Sequence, residues 1–371
     1  MPLSYLIHYL FTCTYKSLTN ETMLGNFPLF NNKEEIHMFK MATRSLVVAA
    51  LALTTSAFAS DKQVTIYSVY EAARLDPVFK PFTDRTGIKV NIVSGTSAEI
   101  IAKLKAEGEA TTADLHLDKD LVFHGQAQAQ GLYKPFNSKT VEKNIPSSLI
   151  EANKNWFTIV YRVRGIMYNA NKVTAAELST YADLGSAKWN GRLCVRTSNN
   201  SYNEALGAYF VTHFGAEKTL NIFKSWVNNF AVDPIKGDTD VINAVAAGTC
   251  DVGIANSYYL APFVKADANY PVKFFFPEQN SVGAHVNGVG IGLLKHAKNT
   301  AAATLVMEYL SSKEVQAPVA SIFSQYPANP AAELAPVLTG FGKFSQDQTN
   351  VGNISAKVDE AKQLMKAANY K

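Results

Sequence analysis

Apolar and polar positions alternate along this chain in two rhythms. Val64-Thr65-Ile66-Tyr67-Ser68 has the two-residue period of a strand. Pro77 to Thr86 reads as a helix ended by Gly87, and Ile88 to Val93 as a second strand. Thr96-Ser97-Ala98-Glu99 is a capping box opening a helix with Ile100, Ile101 and Leu104 on one face, closed by Gly108. A third strand starts at Ala113-Asp114-Leu115. Strands alternating with helices predict a parallel α/β sheet. A second α/β unit follows. Its strands are Phe157 to Tyr168, Arg192 to Arg196, Asp251 to Ala255 and His285 to Leu294. Its helices begin at Tyr202 and Tyr258, and Thr300 to Leu310 is amphipathic. Two α/β lobes predict a hinged binding protein with its ligand between them.

The pattern breaks before residue 60. Met41 to Ala59 has a basic start at Arg44, an apolar core from Leu46 to Leu53 and an Ala57-Phe58-Ala59 cleavage site. The core is too short to span a bilayer. It reads as a secretory leader cut after Ala59, with Met38 or Met41 as the true start. Residues 1–40 then form an upstream extension absent from the mature protein. The mature chain, Ser60 to Lys371, is expected in the periplasm. It retains Cys194 and Cys250, an even pair in an oxidising space, which reads as a disulfide.

Composition narrows the chemistry. At 47% hydrophobic and 18% charged residues the chain is globular, and its net charge of +4 comes without basic runs, which argues against a phosphate-binding face. No G-x-S-x-G, H-E-x-x-H, P-loop, C-x-x-C or dinucleotide fingerprint occurs, so an enzyme has little support. Tyrosine is in excess, with 17 Tyr against 7 His and 3 Cys. Tyr70, Tyr202, Tyr258 and Tyr259 stand where strands end and helices begin, the ends that face the ligand crevice in α/β proteins. Tyr202 follows Ser201, read with Glu204 as a capping box. Four phenols suit either an organic cation held by cation–π attraction or, once ionised, a hard and highly charged metal.

The residues that carry a family resemblance are Val64–Tyr70 (VTIYSVY), Trp156–Asn169 (WFTIVYRVRGIMYN), Arg192–Leu206 (RLCVRTSNNSYNEAL), Gly248–Tyr259 (GTCDVGIANSYY), Gly283–Gly292 (GAHVNGVGIG) and Tyr326–Pro330 (YPANP). Together they resemble the periplasmic ferric-iron-binding receptors of ABC transporters, the bacterial transferrin-like proteins. The resemblance implies an α/β, two-lobe, type II periplasmic solute-binding fold hinged by two crossing strands. The lobes would comprise residues 60–161 and 286–338 for the first and 162–285 for the second, with the helices of 339–371 packing on the second. It implies a monomer that binds Fe³⁺ through Tyr70, Tyr202, Tyr258 and Tyr259 and passes it to an inner-membrane permease, without nucleic acid.

Cys194 and Cys250 match the disulfide of the four-tyrosine branch, and Arg162 an arginine near the metal. The alternative for Arg162 is an ordinary strand arginine, and Arg164 reads as a surface residue. Two family ligand positions are replaced, a histidine by Val69 and a glutamate by Lys119 among Asp118, Lys119 and Asp120. Water or a small anion such as carbonate would complete the shell. The helix starts at Ser198–Tyr202, including Asn199, and at Thr96–Ala98 offer N–H groups to that anion or simply end their helices. His116 and His124 are read as surface residues or late-entering ligands. Trp156, Trp189 and Trp226 read as core or surface anchors. The rival readings are a receptor of the same fold for thiamine, a polyamine or a phosphonate and, more remotely, a secreted hydrolase.

Overall fold

The computed structural model describes residues 63–371, so the upstream extension, the leader and its cleavage site lie outside the described residues. The first lobe opens with β1 (Gln63–Ser68), α1 (Ala72–Thr86), β2 (Lys89–Ser94), α2 (Ser97–Glu107), β3 (Leu115–Asp118), α3 (Leu121–Ala129) and α4 (Lys139–Asn144). β1 lies between β2 and β3 and is parallel to both, as helix crossovers require. Thr96 and Glu99 form the predicted capping box, and Gly87 closes α1 at φ 70°. α1 starts five residues before Pro77 and keeps both Pro77 and Pro81 inside it. Burial of Leu75, Val78, Phe79 and Phe82 on one face offsets the hydrogen bonds those prolines remove.

The chain then crosses on β4 (Trp156–Asn169). The second lobe adds β5 (Leu193–Cys194), α5 (Ser201–Asn229), α6 (Asp238–Ala247), β6 (Val252–Asn256), α7 (Ser257–Ala266) and β7 (Val272–Phe275). It returns on β8 (Val286–Leu293), followed by α8 (Thr300–Ser311), α9 (Lys313–Phe323) and β9 (Tyr326–Pro327). The short helices α10 (Pro336–Gly340) and α11 (Val351–Ser355) lead to α12 (Val358–Ala367), which lies along α5.

The sheet is mixed, which corrects the expectation of a parallel one. β5 is parallel to β6, but β4 is antiparallel to β6, β7, β8 and β9, and β8 is antiparallel to β3. The reason is topological. β4 carries the chain out of the first lobe and β8 brings it back, so the two crossing strands run in opposite directions. Trp156 to Val163 of β4 pair with β8, and Arg164 to Asn169 pair with β6 and β7.

Separate apolar cores sit on the two sides of this crossing. One gathers Val64, Ile66, Leu115, Phe157, Ile291 and Met307. A second gathers Trp189, Leu206, Phe210, Trp226, Ile254 and Met365, and a third gathers Met167, Val241, Val245, Ala255 and Leu260. All three tryptophans are fully buried. Cys194 and Cys250 form the disulfide, joining β5 to the turn that enters β6. His116 and His124 are fully buried in the first lobe, which corrects their surface reading.

Candidate metal centre

Each tyrosine of the predicted set is placed by the end of a strand. Tyr70 ends the turn after β1, where its N–H donates to Ser68 Oγ at 3.0 Å. Its ring packs 4.7 Å from Phe323, and the Arg74 guanidinium lies 5.1 Å from the Tyr70 ring centre. Tyr202 is the second residue of α5. The cap of that helix is Asn200, whose Oδ1 accepts the Tyr202 N–H at 3.0 Å. This corrects the expected Ser201–Glu204 box, because Ser201 is already helical and its hydroxyl donates to Asp120 Oδ2 at 2.9 Å instead. Tyr258 and Tyr259 occupy the first turn of α7. That turn is tied to the crossing strand by Ser257 Oγ, which accepts Val163 N–H at 3.3 Å.

The structure brings three of the four together directly. Tyr258 Oη donates to Tyr202 Oη at 3.1 Å, and the Tyr258 and Tyr259 rings are 4.2 Å apart. Tyr70 shares their field, since Arg162 and Tyr202 both act on its hydroxyl. All four are half-buried. Burial pushes the hydroxyls of Tyr70, Tyr202 and Tyr258 up, Tyr202 to about 12, and Arg162 opposes burial at each of the three.

Arg162 is fully buried at the bottom of this group. Its Nη1 donates to the Lys119 carbonyl at 2.5 Å and its Nη2 to Asp120 Oδ2 at 2.9 Å. The guanidinium carbon is 5.0 Å from the Tyr202 ring centre. Lys119 contributes only this carbonyl, and its side chain is exposed. Asp120, noted in the sequence only as a neighbour of Lys119, is the residue that ties the centre together. It caps α3, accepts Asn287 Nδ2 from β8 at 2.8 Å, and links Arg162 of β4 to Ser201 of α5. Val69 N–H bonds to the Leu117 carbonyl at 3.2 Å, and the valine offers no donor to a metal.

Arg164 corrects its surface reading. It is 1% exposed and donates to Asn203 Oδ1 through Nε (3.0 Å) and Nη2 (2.6 Å), and to Asp238 Oδ2 at 2.9 Å. The signal was present in the sequence. Arg162 and Arg164 are two apart on a strand, so they share a face. Arg196 adds a third guanidinium, and Arg164 and Arg196 lie 5.9 and 5.4 Å from the Tyr202 ring centre. Of the N–H groups read as offered to an anion, that of Ser198 donates to the Lys371 carbonyl at 2.8 Å and that of Thr96 to Glu99 Oε2 at 2.9 Å. Asn199 lies in the bend just before the Asn200 cap. Among the described residues, no group of three or more His, Cys, Asp or Glu side chains is placed to hold a metal.

A family model described as bacterial extracellular solute-binding protein matches residues 78–346. The chain belongs to that family. This solute-binding protein is 36% identical over 317 residues to iron uptake protein A1 of Synechocystis sp., a match covering 84% of this chain and 88% of the relative. It is 25% identical over 336 residues to the major ferric iron-binding protein of Neisseria meningitidis serogroup B, covering 88% and 98%. Among solved structures it is similar to a Trichodesmium protein (IdiA, FutA) in complex with iron and citrate ligands. There the TM-score is 0.80 at 37% sequence identity, covering 83% of this chain and 100% of the other. The solute-binding protein therefore has a two-lobe fold whose strand ends present phenols beside a buried arginine set.

Proposed function

We propose that this protein captures Fe³⁺ in the periplasm through the phenolates of Tyr70, Tyr202, Tyr258 and Tyr259, and delivers it to an inner-membrane ABC permease. One observation carries the reading: the Tyr202 and Tyr258 hydroxyls meet at 3.1 Å, and Arg162 opposes burial at both. Phenolates are hard donors and Fe³⁺ a hard acceptor. Charge supports the match. Fe³⁺ with four phenolates carries one negative charge. Arg162, Arg164 and Arg196 against Asp120 and Asp238 leave one positive charge to meet it. The names of the relatives, which refer to iron uptake and ferric iron, point the same way.

With their hydroxyls pushed up by burial, the phenols are protonated until the cation arrives. Binding then releases protons, and affinity falls in acid. Four oxygens leave room for water or a small anion such as carbonate. The test is absorbance on adding ferric citrate. A visible phenolate-to-iron charge-transfer band is expected, and it should weaken in Tyr258→Phe and Tyr259→Phe. No band in the unaltered protein, or an intact band in both variants, sinks the proposal.

A further inference from the structure

Tyr202 is held by a turn that belongs to no strand or helix, Arg196 to Asn200. Its supports include bonds to Tyr370 that span 167 and 174 residues of sequence. Tyr370 Oη donates to the Arg196 carbonyl at 2.6 Å and accepts from Asn203 Nδ2 at 2.8 Å. Asn203 Nδ2 also faces the Arg196 and Thr197 carbonyls at 2.8 and 3.0 Å. The Lys371 carbonyl accepts Ser198 N–H at 2.8 Å. On its other side, Asn203 Oδ1 receives Arg164, one of the three guanidiniums around the Tyr202 ring.

The Tyr370 ring is 3% exposed and packs edge-on against Phe223 and Phe230, with ring centres 6.0 and 5.5 Å away. A phenylalanine would fill that apolar cage equally well. A hydroxyl buried there costs free energy unless it is bonded, so its place is explained by the two bonds it makes. We propose that Tyr370 is a positioning residue for Tyr202. It fixes Asn203 and the Arg196 carbonyl, and through them both the turn that aims the phenol and the guanidinium beneath it. The proposal rests on the reading of Tyr202 as an iron ligand.

The experiment is a double-mutant cycle on the full chain, loaded with ferric citrate and challenged with excess chelator. Tyr370→Phe keeps the ring packing and removes only the hydroxyl. Iron dissociation is expected to speed up by about tenfold, as for other partners that orient a ligand, with a shifted charge-transfer maximum. In a Tyr202→Phe background the same change should leave dissociation unaltered. Equal acceleration in both backgrounds, or a lowered unfolding midpoint with band and dissociation unchanged, overturns the proposal. If Tyr202→Phe alone leaves iron binding intact, it is the ligand reading that has failed.

Discussion

Two tyrosine clusters in this protein share one functional group and differ in everything around it. At the candidate centre, Tyr202 and Tyr258 touch through their hydroxyls, and three guanidiniums lie within 6 Å of the Tyr202 ring centre. In the first lobe, Tyr133 Oη sits between two imidazoles, 2.6 Å from His116 Nδ1 and 2.8 Å from His124 Nδ1. The cluster is sealed by its neighbours. A Cβ at Gly290 would meet the His124 ring at 2.6 Å, and one at Gly292 would meet Tyr133 at 2.5 Å. Burial pushes the Tyr133 hydroxyl well up and the charge of Asp118 pushes it further the same way, whereas at Tyr202 Arg162 opposes burial. Both imidazoles lie within hydrogen-bond reach of the Tyr133 hydroxyl, so it is satisfied within the core. A phenol becomes an oxygen donor for a hard cation only where neighbouring charge favours its ionised form. Residue type alone does not separate the two clusters.

The largest effect should come from exchanging one hydroxyl in each. Tyr202→Phe is expected to weaken iron retention by at least about 100-fold, close to 3 kcal/mol, with little change in the urea midpoint of the iron-free protein, because the side chain is half-buried. Tyr133→Phe should do the reverse. It leaves two buried imidazole nitrogens without their shared partner, which costs about 1–3 kcal/mol of stability, and it should leave iron dissociation within about twofold. Chelator competition and urea titration on both variants decide this. If Tyr133→Phe loosens iron as much as Tyr202→Phe, the comparison collapses.

Next in size is the charge that distinguishes the clusters. Arg162→Gln removes the cation that opposes burial at Tyr70, Tyr202 and Tyr258. Their phenols then ionise less readily, so the pH at which half the iron is released should move up. The variant also strands the buried Asp120 carboxylate, at about 3–5 kcal/mol. Adding Asp120→Asn should restore most of that stability but return the release midpoint only part-way, because Asp120 pushes the Tyr202 hydroxyl up by less than Arg162 pulls it down. A midpoint that recovers fully along with stability would mean Arg162 acts only as a support.

Much of this site was legible in the chain because strand ends followed by small polar turns mark where side chains meet in an α/β protein. That reasoning located Tyr70, Tyr202, Tyr258 and Tyr259 at element boundaries. The charges around them were not legible. Asp120 lies 42 residues before Arg162, and Asp238 lies 74 after Arg164, so no local spacing announces either pair. Asn-Asn-Ser at residues 199–201 offers three cap-forming residues in a row, and only tertiary contact with Asp120 decides that Ser201 is helical and Asn200 is the cap. His116 and His124 looked like surface residues because each is alone in its own stretch of sequence; Tyr133 joins them in space. Strand direction was misjudged for the same reason, since the antiparallel runs of β4 and β8 follow from long-range crossing rather than from local alternation.

The smallest effect separates two kinds of acid sensitivity. Burial, together with Arg164, Arg162 and His213, pushes His285 down to about 3, and burial together with His116 pushes His124 well below its usual range. Both imidazoles therefore stay neutral in the folded chain and take a proton when it unfolds. Their contribution to stability is complete above about pH 6.5 and is lost as pH falls toward the folded values, because there the unfolded state binds more protons. For each, the slope is about 1.4 kcal/mol per pH unit. Neither nitrogen of His285 has a hydrogen-bond partner, and the side chain borders a small apolar cavity lined by Leu121, Val122 and Ile354. His285→Leu should therefore leave the urea midpoint nearly unchanged at pH 7 and flatten its fall between about pH 6.5 and 4 by one proton. The iron-release midpoint of the same variant should not move, since acid displaces iron by protonating phenolates and unfolds the iron-free chain by protonating histidines. A release midpoint that shifts with His285→Leu would show that the two acid processes are one.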